Sequence, residues 1–256
     1  MTEKEIQIRK LHKKICNKAG VTIRENHLIS PGDNILVGLS GGKDSMIMLE
    51  VLADRRAALP FDFNITAAYI QVEDVGYKAS KQKMKEHCAN LNIPFILRDI
   101  KISEEETKKK GICFLCSWNR RKALFDLTRE MGFNTLALGH HRADALETLL
   151  LNMIYHGSIS SLPYSLSMFE GRVRLIRPLL DMEEKLLLDY AGLRNFDSEG
   201  IACAHESFSK RDQVRELILQ IEKLHGSGPV NMFRSMDKIF EEYLPKKSPD
   251  LLESGH

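Results

Sequence analysis

The chain has 256 residues, 43% of them hydrophobic, and a formal net charge of +2. This length and composition allow a sizeable core and predict a soluble globular protein. The charge is too small to indicate a nucleic-acid partner, so that argument depends on where the basic residues cluster. No apolar stretch approaches the ~20 residues that cross a bilayer, and no signal-peptide core follows Met1, so we expect a cytoplasmic protein with no membrane partner.

The first helix is predicted to run from Glu3 to about His27, because its apolar residues follow helical spacing. Its remaining surface is basic and carries Lys13 and Lys14. A basic face can lie along a phosphate backbone, but it is equally typical of a solvated helix. We therefore treat this helix only as support for an RNA partner.

The chain is organised around the stretch from Asn34 to Met46, where a short apolar run meets two glycines and then opens a helix. The helix N–H groups and the Lys43 ammonium should face one point, which predicts an anion site, most simply for phosphate. The alternative is that the two glycines form only a tight strand-to-helix connection and that Asp44 is an acid favoured by the helix dipole. The candidate anion-binding residues are Ser40, Gly41, Gly42, Lys43, Asp44 and Ser45.

Strands and helices alternate along the chain, which predicts an α/β fold with a mostly parallel, doubly wound sheet. We expect a basic helix at 1–32, a sheet domain at 33–190, and a helical region at 191–256 that ends in a disordered tail. Further strands are predicted at Asn64–Val72, Pro94–Asp99, Thr135–Leu138 and Arg174–Arg177, and helices at about Lys78–Asn90, Lys210–Leu224 and Val230–Tyr243.

A second motif follows the strand at Thr135–Leu138 and opens a helix that runs to about Tyr155. In a parallel sheet it lies on the same side as the first loop, so the two motifs should share one cleft. Asp144 has a structural explanation, since Glu147 three residues on would complete a capping arrangement. The company of His140, His141 and Arg142 favours an electrostatic role beside a bound phosphate. The motif is Gly139-His140-His141-Arg142-Ala143-Asp144.

Five cysteines, an odd number without an export signal, argue against a disulfide framework. Cys113 and Cys116 are predicted to begin a helix, whose positive end favours thiolates, and Cys203 is the natural third member. Three thiolates suit a cubane iron–sulfur cluster with one iron open to exogenous sulfide. A persulfide, or a zinc site that includes His205, stays open. The other cysteines continue apolar helix faces and are predicted core residues: Cys16 and Cys88.

Two of these stretches resemble a known family. Ser40–Ser45 resembles the pyrophosphate-binding loop of the PP-loop ATP pyrophosphatases. Leu-Gly-His-His-Arg-x-Asp-x-x-Glu-Thr, which begins at Leu138, resembles the corresponding stretch of the tRNA 2-thiocytidine synthetases within that superfamily. The usual form has two aspartates after the arginine, and Ala143 stands in place of the first. The likeness extends from about Leu11 to Phe240.

The resemblance implies an adenine nucleotide alpha hydrolase-like fold and an ATP-dependent tRNA sulfurtransferase. The C2 oxygen of an anticodon-loop cytidine, at tRNA position 32, would be adenylated and replaced by sulfur to give 2-thiocytidine. The implied cofactors are ATP, Mg²⁺ and a 4Fe-4S cluster. The implied partners are tRNA, a cysteine desulfurase or other sulfide donor, and a second copy of the chain in a homodimer.

The resemblance also implies roles for residues at matching positions. Catalytic roles would fall to Lys43, Asp44, Cys113 and Cys203, with Asp44 holding Mg²⁺. The cluster ligands would be Cys113, Cys116 and Cys203. The ATP-binding residues would be Ser40, Gly41, Gly42, Lys43, Asp44, Ser45, Gly139, His140 and Asp144. The expected tRNA-binding residues are Lys13, Lys14, Arg120, Arg121, Arg177 and Arg211.

Three alternatives stay open on the sequence alone. A relative of tRNA lysidine synthetase would also adenylate a cytidine, but it would need no thiols. A PP-loop sulfurtransferase could instead act on another tRNA base or on a small molecule. A non-catalytic RNA- or nucleotide-binding relative is the third alternative, which the departure at Ala143 keeps open.

Overall fold

The computed structural model describes residues 1–73, 80–102, 112–196 and 209–245, and only the backbone of 112–114. Within these ranges six strands form one sheet and eight α-helices flank it. The strands are β1 (Asn34–Leu39), β2 (Asn64–Val72), β3 (Phe95–Ile100), β4 (Thr135–Ala137), β5 (Ser165–Met168) and β6 (Val173–Ile176). The helices are α1 (Glu3–Glu25), α2 (Lys43–Ala58), α3 (Lys81–Asn90), α4 (Ile112–Glu130), α5 (Arg142–His156), α6 (Glu184–Arg194), α7 (Lys210–Leu224) and α8 (Gly228–Ser235).

The strand order β3-β2-β1-β4-β6-β5 creates a switch point at the centre of the sheet. From β1 the chain builds outwards through β2 and β3, and then returns to place β4 on the other side of β1. Val37 of β1 accordingly pairs in parallel register with Ala67 of β2 and with Ala137 of β4. A crevice forms outside the carboxyl ends of strands at such a point, and ligands bind there in open α/β sheets.

Alternate residues of the central strands face two separate cores, as the two-residue period of a strand requires. Val37 belongs to a core that also contains residues of α1, α2, α3 and α6. Its neighbour Leu36 faces the opposite side and packs with Phe125 and Leu127 of α4. The predicted α/β class, with a mostly parallel sheet covered on both faces, is confirmed. The three-segment division of the chain stays a prediction.

Several boundaries differ from those predicted. The strand expected at Arg174–Arg177 is β6, and it pairs with β5, an antiparallel edge strand that we did not predict. A tight turn joins these strands, with φ of +60° at Glu170 and +85° at Gly171. We also did not predict α6. The helix expected at Val230–Tyr243 consists of α8 and a short 3₁₀ turn at Glu241–Tyr243.

A buried carboxylate fixes α6 against α2. Glu50 of α2 is 5% exposed and accepts hydrogen bonds from the Tyr190 hydroxyl at 2.6 Å and from Arg194 at 2.5 Å. Burial, together with this carboxylate, raises the pKa of Tyr190 above its ordinary range, so the hydroxyl stays a donor. No helix in the described ranges is long and apolar enough to cross a membrane.

We expect Tyr190→Phe to lower the free energy of unfolding by about 1–3 kcal/mol, because a buried carboxylate loses one of its donors. Urea denaturation measures this change. The matched control is Tyr243→Phe, since Tyr243 is 82% exposed and should tolerate the loss of its hydroxyl. Equal stability of the two variants would contradict the role given to the Tyr190–Glu50 bond.

Candidate active site

The loop after β1 is held closed by its own serines. The Gly42 N–H donates to Ser40 Oγ at 3.2 Å, and the Ser45 hydroxyl donates to the Gly42 carbonyl at 2.9 Å. Gly41 has φ of +85°, which favours glycine. No described side chain caps α2, so the N–H groups of its first turn are left for another partner. The loop therefore has the geometry of the predicted anion site.

The second loop touches the first backbone to backbone. A Cβ added to Gly139 would lie 3.0 Å from the carbonyl carbon and oxygen of Asp44, and 3.1 Å from the Ser45 nitrogen. The absence of a side chain at Gly139 is thus what allows the two loops to approach. The prediction that both motifs share one cleft is confirmed by this contact and by the β1–β4 pairing.

His141 lies between the two aspartates of the cleft. Its Nε2 is 3.8 Å from Asp44 Oδ2 and its Nδ1 is 3.7 Å from Asp144 Oδ2. Asp144 Oδ2 also accepts the His141 backbone N–H at 2.8 Å, so the carboxylate both caps α5 and faces the cleft. His141 is 6% exposed. His141 lies inside the second motif but is not among the predicted ATP-binding residues.

One carboxylate oxygen of Asp44 has no hydrogen-bond partner among the described residues. Asp44 Oδ1 is buried and accepts no hydrogen bond from any described residue. Burial raises the pKa of the Asp44 carboxyl above its ordinary value, while the nearby His141 and Lys43 charges oppose that shift. An orphaned carboxylate oxygen beside a phosphate-type loop fits a hard cation such as Mg²⁺.

The Lys43 side chain extends from the first turn of α2 to the Asp44 carboxylate. It is 8% exposed, and its Nζ lies 3.1 Å from Asp44 Oδ2 and 3.9 Å from Glu184 Oε1. Glu184 opens α6, so this helix contributes a carboxylate to the cleft that the sequence pattern did not reveal. The ammonium is positioned for an anion at the loop.

Arg177, predicted to bind tRNA, is used inside the protein instead. It is 5% exposed, and its guanidinium donates to the Pro163 carbonyl at 2.6 Å and to His140 Nδ1 at 3.3 Å. Burial, with Arg121 nearby, lowers the pKa of Arg177 to about 10. We correct the assignment: a guanidinium so enclosed is a positioning group for His140.

His140 is consequently a neutral imidazole. Burial lowers its pKa to about 4, and the charges of Arg177, Arg121 and Arg211 act in the same direction against Asp144. Because Nδ1 accepts from Arg177, the ring proton is on Nε2. Arg177 directly follows β6, while Arg121 lies on α4 and Arg211 lies on α7. These three segments therefore converge on the second motif.

The remaining predicted tRNA-binding residues lie on helix surfaces. Lys13 and Lys14 are exposed on α1, and Arg121 and Arg211 are exposed on α4 and α7. Arg120 is half-buried, with its guanidinium 5.5 Å from the Tyr69 ring centroid. The structure brings Arg121 and Arg211 within electrostatic range of His140, and their contact with RNA stays a prediction.

The cysteines separate into two groups. Cys16 and Cys88 are 3% and 0% exposed, and burial raises their thiol pKa values to about 12 and about 11, so they are confirmed as core residues. Cys116 is half-buried in the first turns of α4 and forms no disulfide in the described chain. Cys203 and the Cys113 side chain lie outside the described residues.

Comparison with known proteins decides the family. A family model of the PP-loop domain matches residues 4–226. The chain belongs to the PP-loop family. Its PP-loop relatives include the tRNA-cytidine(32) 2-sulfurtransferase of Polynucleobacter asymbioticus, 36% identical over 245 residues that cover 92% of this chain and 79% of the relative. That of Neisseria gonorrhoeae is 31% identical over 253 residues, 95% of this chain and 77% of the relative.

A solved structure has the same fold. The U34-tRNA thiolase NcsA from Methanococcus maripaludis, with its 4Fe-4S cluster, superposes with a TM-score of 0.73 at 21% identity. The match covers 94% of this chain and 82% of NcsA. The predicted resemblance to the PP-loop superfamily and to its 2-thiocytidine branch is confirmed.

We expect Gly139→Ala to destabilise this PP-loop protein by about 1–3 kcal/mol, because the new methyl group overlaps the Asp44 backbone and separates the loops. ATP affinity should fall with it. Urea unfolding and ATP titration measure both effects. Gly192→Ala is the matched control, since no atom lies within 4 Å of its added Cβ. Equal stability and equal ATP affinity of the two variants would show that the close approach of Gly139 to Asp44 is not important.

We expect His140 to titrate at about 4 by NMR, and Arg177→Gln to raise this pKa part of the way to 6.5, since burial remains. The unfolded state takes up the proton near 6.5 and the folded state only near 4, so stability from the neutral ring is lost as pH falls through that window. Arg172→Gln, at a 74% exposed side chain, is the control for lost charge. A pKa near 6.5 in the wild type would overturn the assignment.

Proposed function

We propose that the protein is an ATP-dependent tRNA sulfurtransferase that converts cytidine 32 of the anticodon loop to 2-thiocytidine. One observation supports the proposal: the Ser40–Ser45 loop and the second motif touch at the β1–β4 crevice, and the helix that contains Cys116 contributes a charge there. Arg121, five residues after Cys116, acts electrostatically on His140. A cleft of this kind can activate a carbonyl oxygen and present sulfur to the same carbon. The tRNA-cytidine(32) 2-sulfurtransferases named above carry out the reaction that their name states.

In the first half-reaction the C2 oxygen of the cytidine attacks the α-phosphorus of ATP, and pyrophosphate leaves. The N–H groups of the Ser40–Ser45 loop and the Lys43 ammonium would hold the departing pyrophosphate. Asp44 Oδ1, buried without a described partner, would hold Mg²⁺ beside the phosphates. Gly139, His140 and Asp144 would line the opposite wall. The neutral His140 offers an Nε2–H donor that adds no charge.

In the second half-reaction a sulfur nucleophile attacks C2, and AMP leaves with the original oxygen. Cys113, Cys116 and Cys203 would hold the 4Fe-4S cluster, which supplies an iron that exogenous sulfide can bind. The half-buried Cys116 at the start of a helix suits such a ligand, because the helix dipole favours its thiolate. The adenylate must be protected from water, and the buried walls of the crevice serve that purpose.

Basic side chains on three helices would bind the tRNA phosphates. Lys13 and Lys14 lie on α1, Arg120 and Arg121 on α4, and Arg211 on α7. The hydrogen bond from Lys18 lowers the pKa of Glu183, and the Lys14 charge adds to the shift, so this face of α1 lies near the start of α6. Cations spread over several elements suit a folded RNA better than a small metabolite.

The reaction also needs partners that the chain does not supply. A cysteine desulfurase or another sulfide donor must deliver the sulfur, since each turnover consumes one sulfide. We further propose that the protein acts in the cytoplasm, where its tRNA substrate is available, and that it is a homodimer.

Mass analysis of tRNA nucleosides from cells that lack this gene tests the proposal. We expect 2-thiocytidine to disappear and to return with the wild-type gene. Lys43→Ala should fail to restore it and should lower AMP formation by about 10²-fold or more, because charge at the transferring phosphoryl group is uncompensated. Cys116→Ser should also fail, yet the purified variant should still release pyrophosphate when ATP and tRNA are present.

The control variant is Lys185→Ala, whose side chain is 83% exposed on α6 and faces Asp189. It should restore 2-thiocytidine fully. Persistence of 2-thiocytidine in the deleted strain, with no other copy of the enzyme, would show that the assigned substrate is wrong. Loss of a different thiolated nucleoside would assign the enzyme to that base. Pyrophosphate release without any thiolation in the wild type would favour an alternative nucleophile.

A further inference from the structure

A second cluster of ligand-type side chains lies between α1 and α2, away from the crevice. His12 and Cys16 are one helical turn apart on α1, and Asp54 faces them from α2. One ligand atom from each residue lies within 4.8 Å of the other two. Asp54 is ten residues beyond Asp44 along α2, which corresponds to about 15 Å at the helical rise. The cluster is therefore separate from the phosphate loop.

The distance between the sulfur and nitrogen ligand atoms matches that of two ligands in a tetrahedral metal centre. Cys16 Sγ lies 3.5 Å from His12 Nε2. A zinc ion with a bond of about 2.3 Å to sulfur and about 2.0–2.1 Å to nitrogen places these two ligands about 3.5 Å apart in tetrahedral geometry. The helical i, i+4 spacing of His12 and Cys16 keeps both side chains on one face of α1.

A neighbouring arginine holds the Asp54 carboxylate in place through one of its two oxygens. Both hydrogen bonds from Arg55 go to Asp54 Oδ2, so Arg55 does not use Oδ1. A Cβ added to Gly20 would lie 2.8 Å from Arg55 Nη1, so this glycine gives the guanidinium room against α1. Metal-ligating carboxylates typically have such an outer hydrogen-bond donor.

We propose that His12, Cys16 and Asp54 bind a divalent transition-metal ion of the zinc class, which clips α1 to α2. The Cys16 thiol would release its proton to solvent when the metal binds. The resulting thiolate, with the imidazole and the carboxylate, forms a borderline-soft set that selects zinc or cobalt over magnesium and calcium. Cys16 is buried while His12 and Asp54 are partly exposed, so water can complete the fourth position. The metal would fix the basic helix to the helix that begins at the phosphate loop.

Cobalt(II) titration tests this site in the full-length chain carrying Cys113→Ser, Cys116→Ser and Cys203→Ser, which removes the other candidate thiolate ligands. Only Cys16 and Cys88 then remain. We expect one equivalent of cobalt to give a thiolate-to-cobalt absorption band in the near ultraviolet. Zinc should displace the cobalt and raise the melting temperature, since it binds the folded state.

Matched variants distinguish a metal site from a hydrogen-bonded cluster. In that background Cys16→Ala should abolish the band and the thermal shift, and Cys88→Ala, at an equally buried cysteine, should keep both. His12→Gln, on a partly exposed side chain, should weaken cobalt binding at least tenfold and is informative even if Cys16→Ala folds poorly. Absence of the band in the background protein, or its retention in Cys16→Ala, would overturn the proposal.

Discussion

The close approach of Gly139 to the first turn of α2 is the contact on which the cleft depends. It joins the loop after β1 to the loop after β4 without any side chain between them. Because β1 and β4 are paired neighbours, their carboxyl ends deliver both loops to one place. The backbone contact then fixes their separation. The same spacing brings His141 of the second loop within 3.8 Å of Asp44 in the first turn of α2.

Charge compensation is the second constraint on the cleft. Lys43 stands between Asp44 and Glu184, while His141 stands between Asp44 and Asp144. The two contacts of Lys43 keep its buried charge paired in the absence of substrate. A phosphate entering the loop would give Lys43 a new partner, and Mg²⁺ at Asp44 would take the oxygen that the described protein leaves unpaired. The ligand-free cleft thus contains the Lys43 ammonium for a phosphate of ATP and the Asp44 carboxylate for its metal ion.

Charge compensation also holds α7 against α5, the helix that begins in the second motif. Glu147 of α5 is 1% exposed and lies 2.8 Å from Arg215 Nε and 3.6 Å from Arg211 Nη1. A carboxylate buried so deeply requires these cations, so α7 must pack onto α5. Arg211 is thereby positioned both to pair with Glu147 and to act on His140. Glu147 is read from sequence as a helix-capping residue, but its structural role is to anchor α7.

Local patterns predicted most of the sheet and both loops, and they failed where tertiary contacts decide. Glycines after apolar runs and a two-residue period are local signals, so β1, β2 and the loop of Gly41 were predictable. β5 is a short edge strand with little apolar pattern. Arg177 was predicted to be a surface cation, because the local sequence does not reveal that Pro163 and His140 enclose its guanidinium. Glu184 joins the cleft only because α6 packs beside α2.

Two consecutive glutamates connect the basic helix to the phosphate loop. Glu183 pairs with Lys18 of α1 at 3.2 Å, and the adjacent Glu184 faces Lys43 at 3.9 Å. The Lys18 pair is half-exposed, so it contributes orientation more than stability. The stability of this junction comes from the apolar inner face of α1, where Ile15 and Ala19 are fully buried. An RNA bound on the outer face of α1 would therefore lie at a fixed distance from the phosphates that activate it.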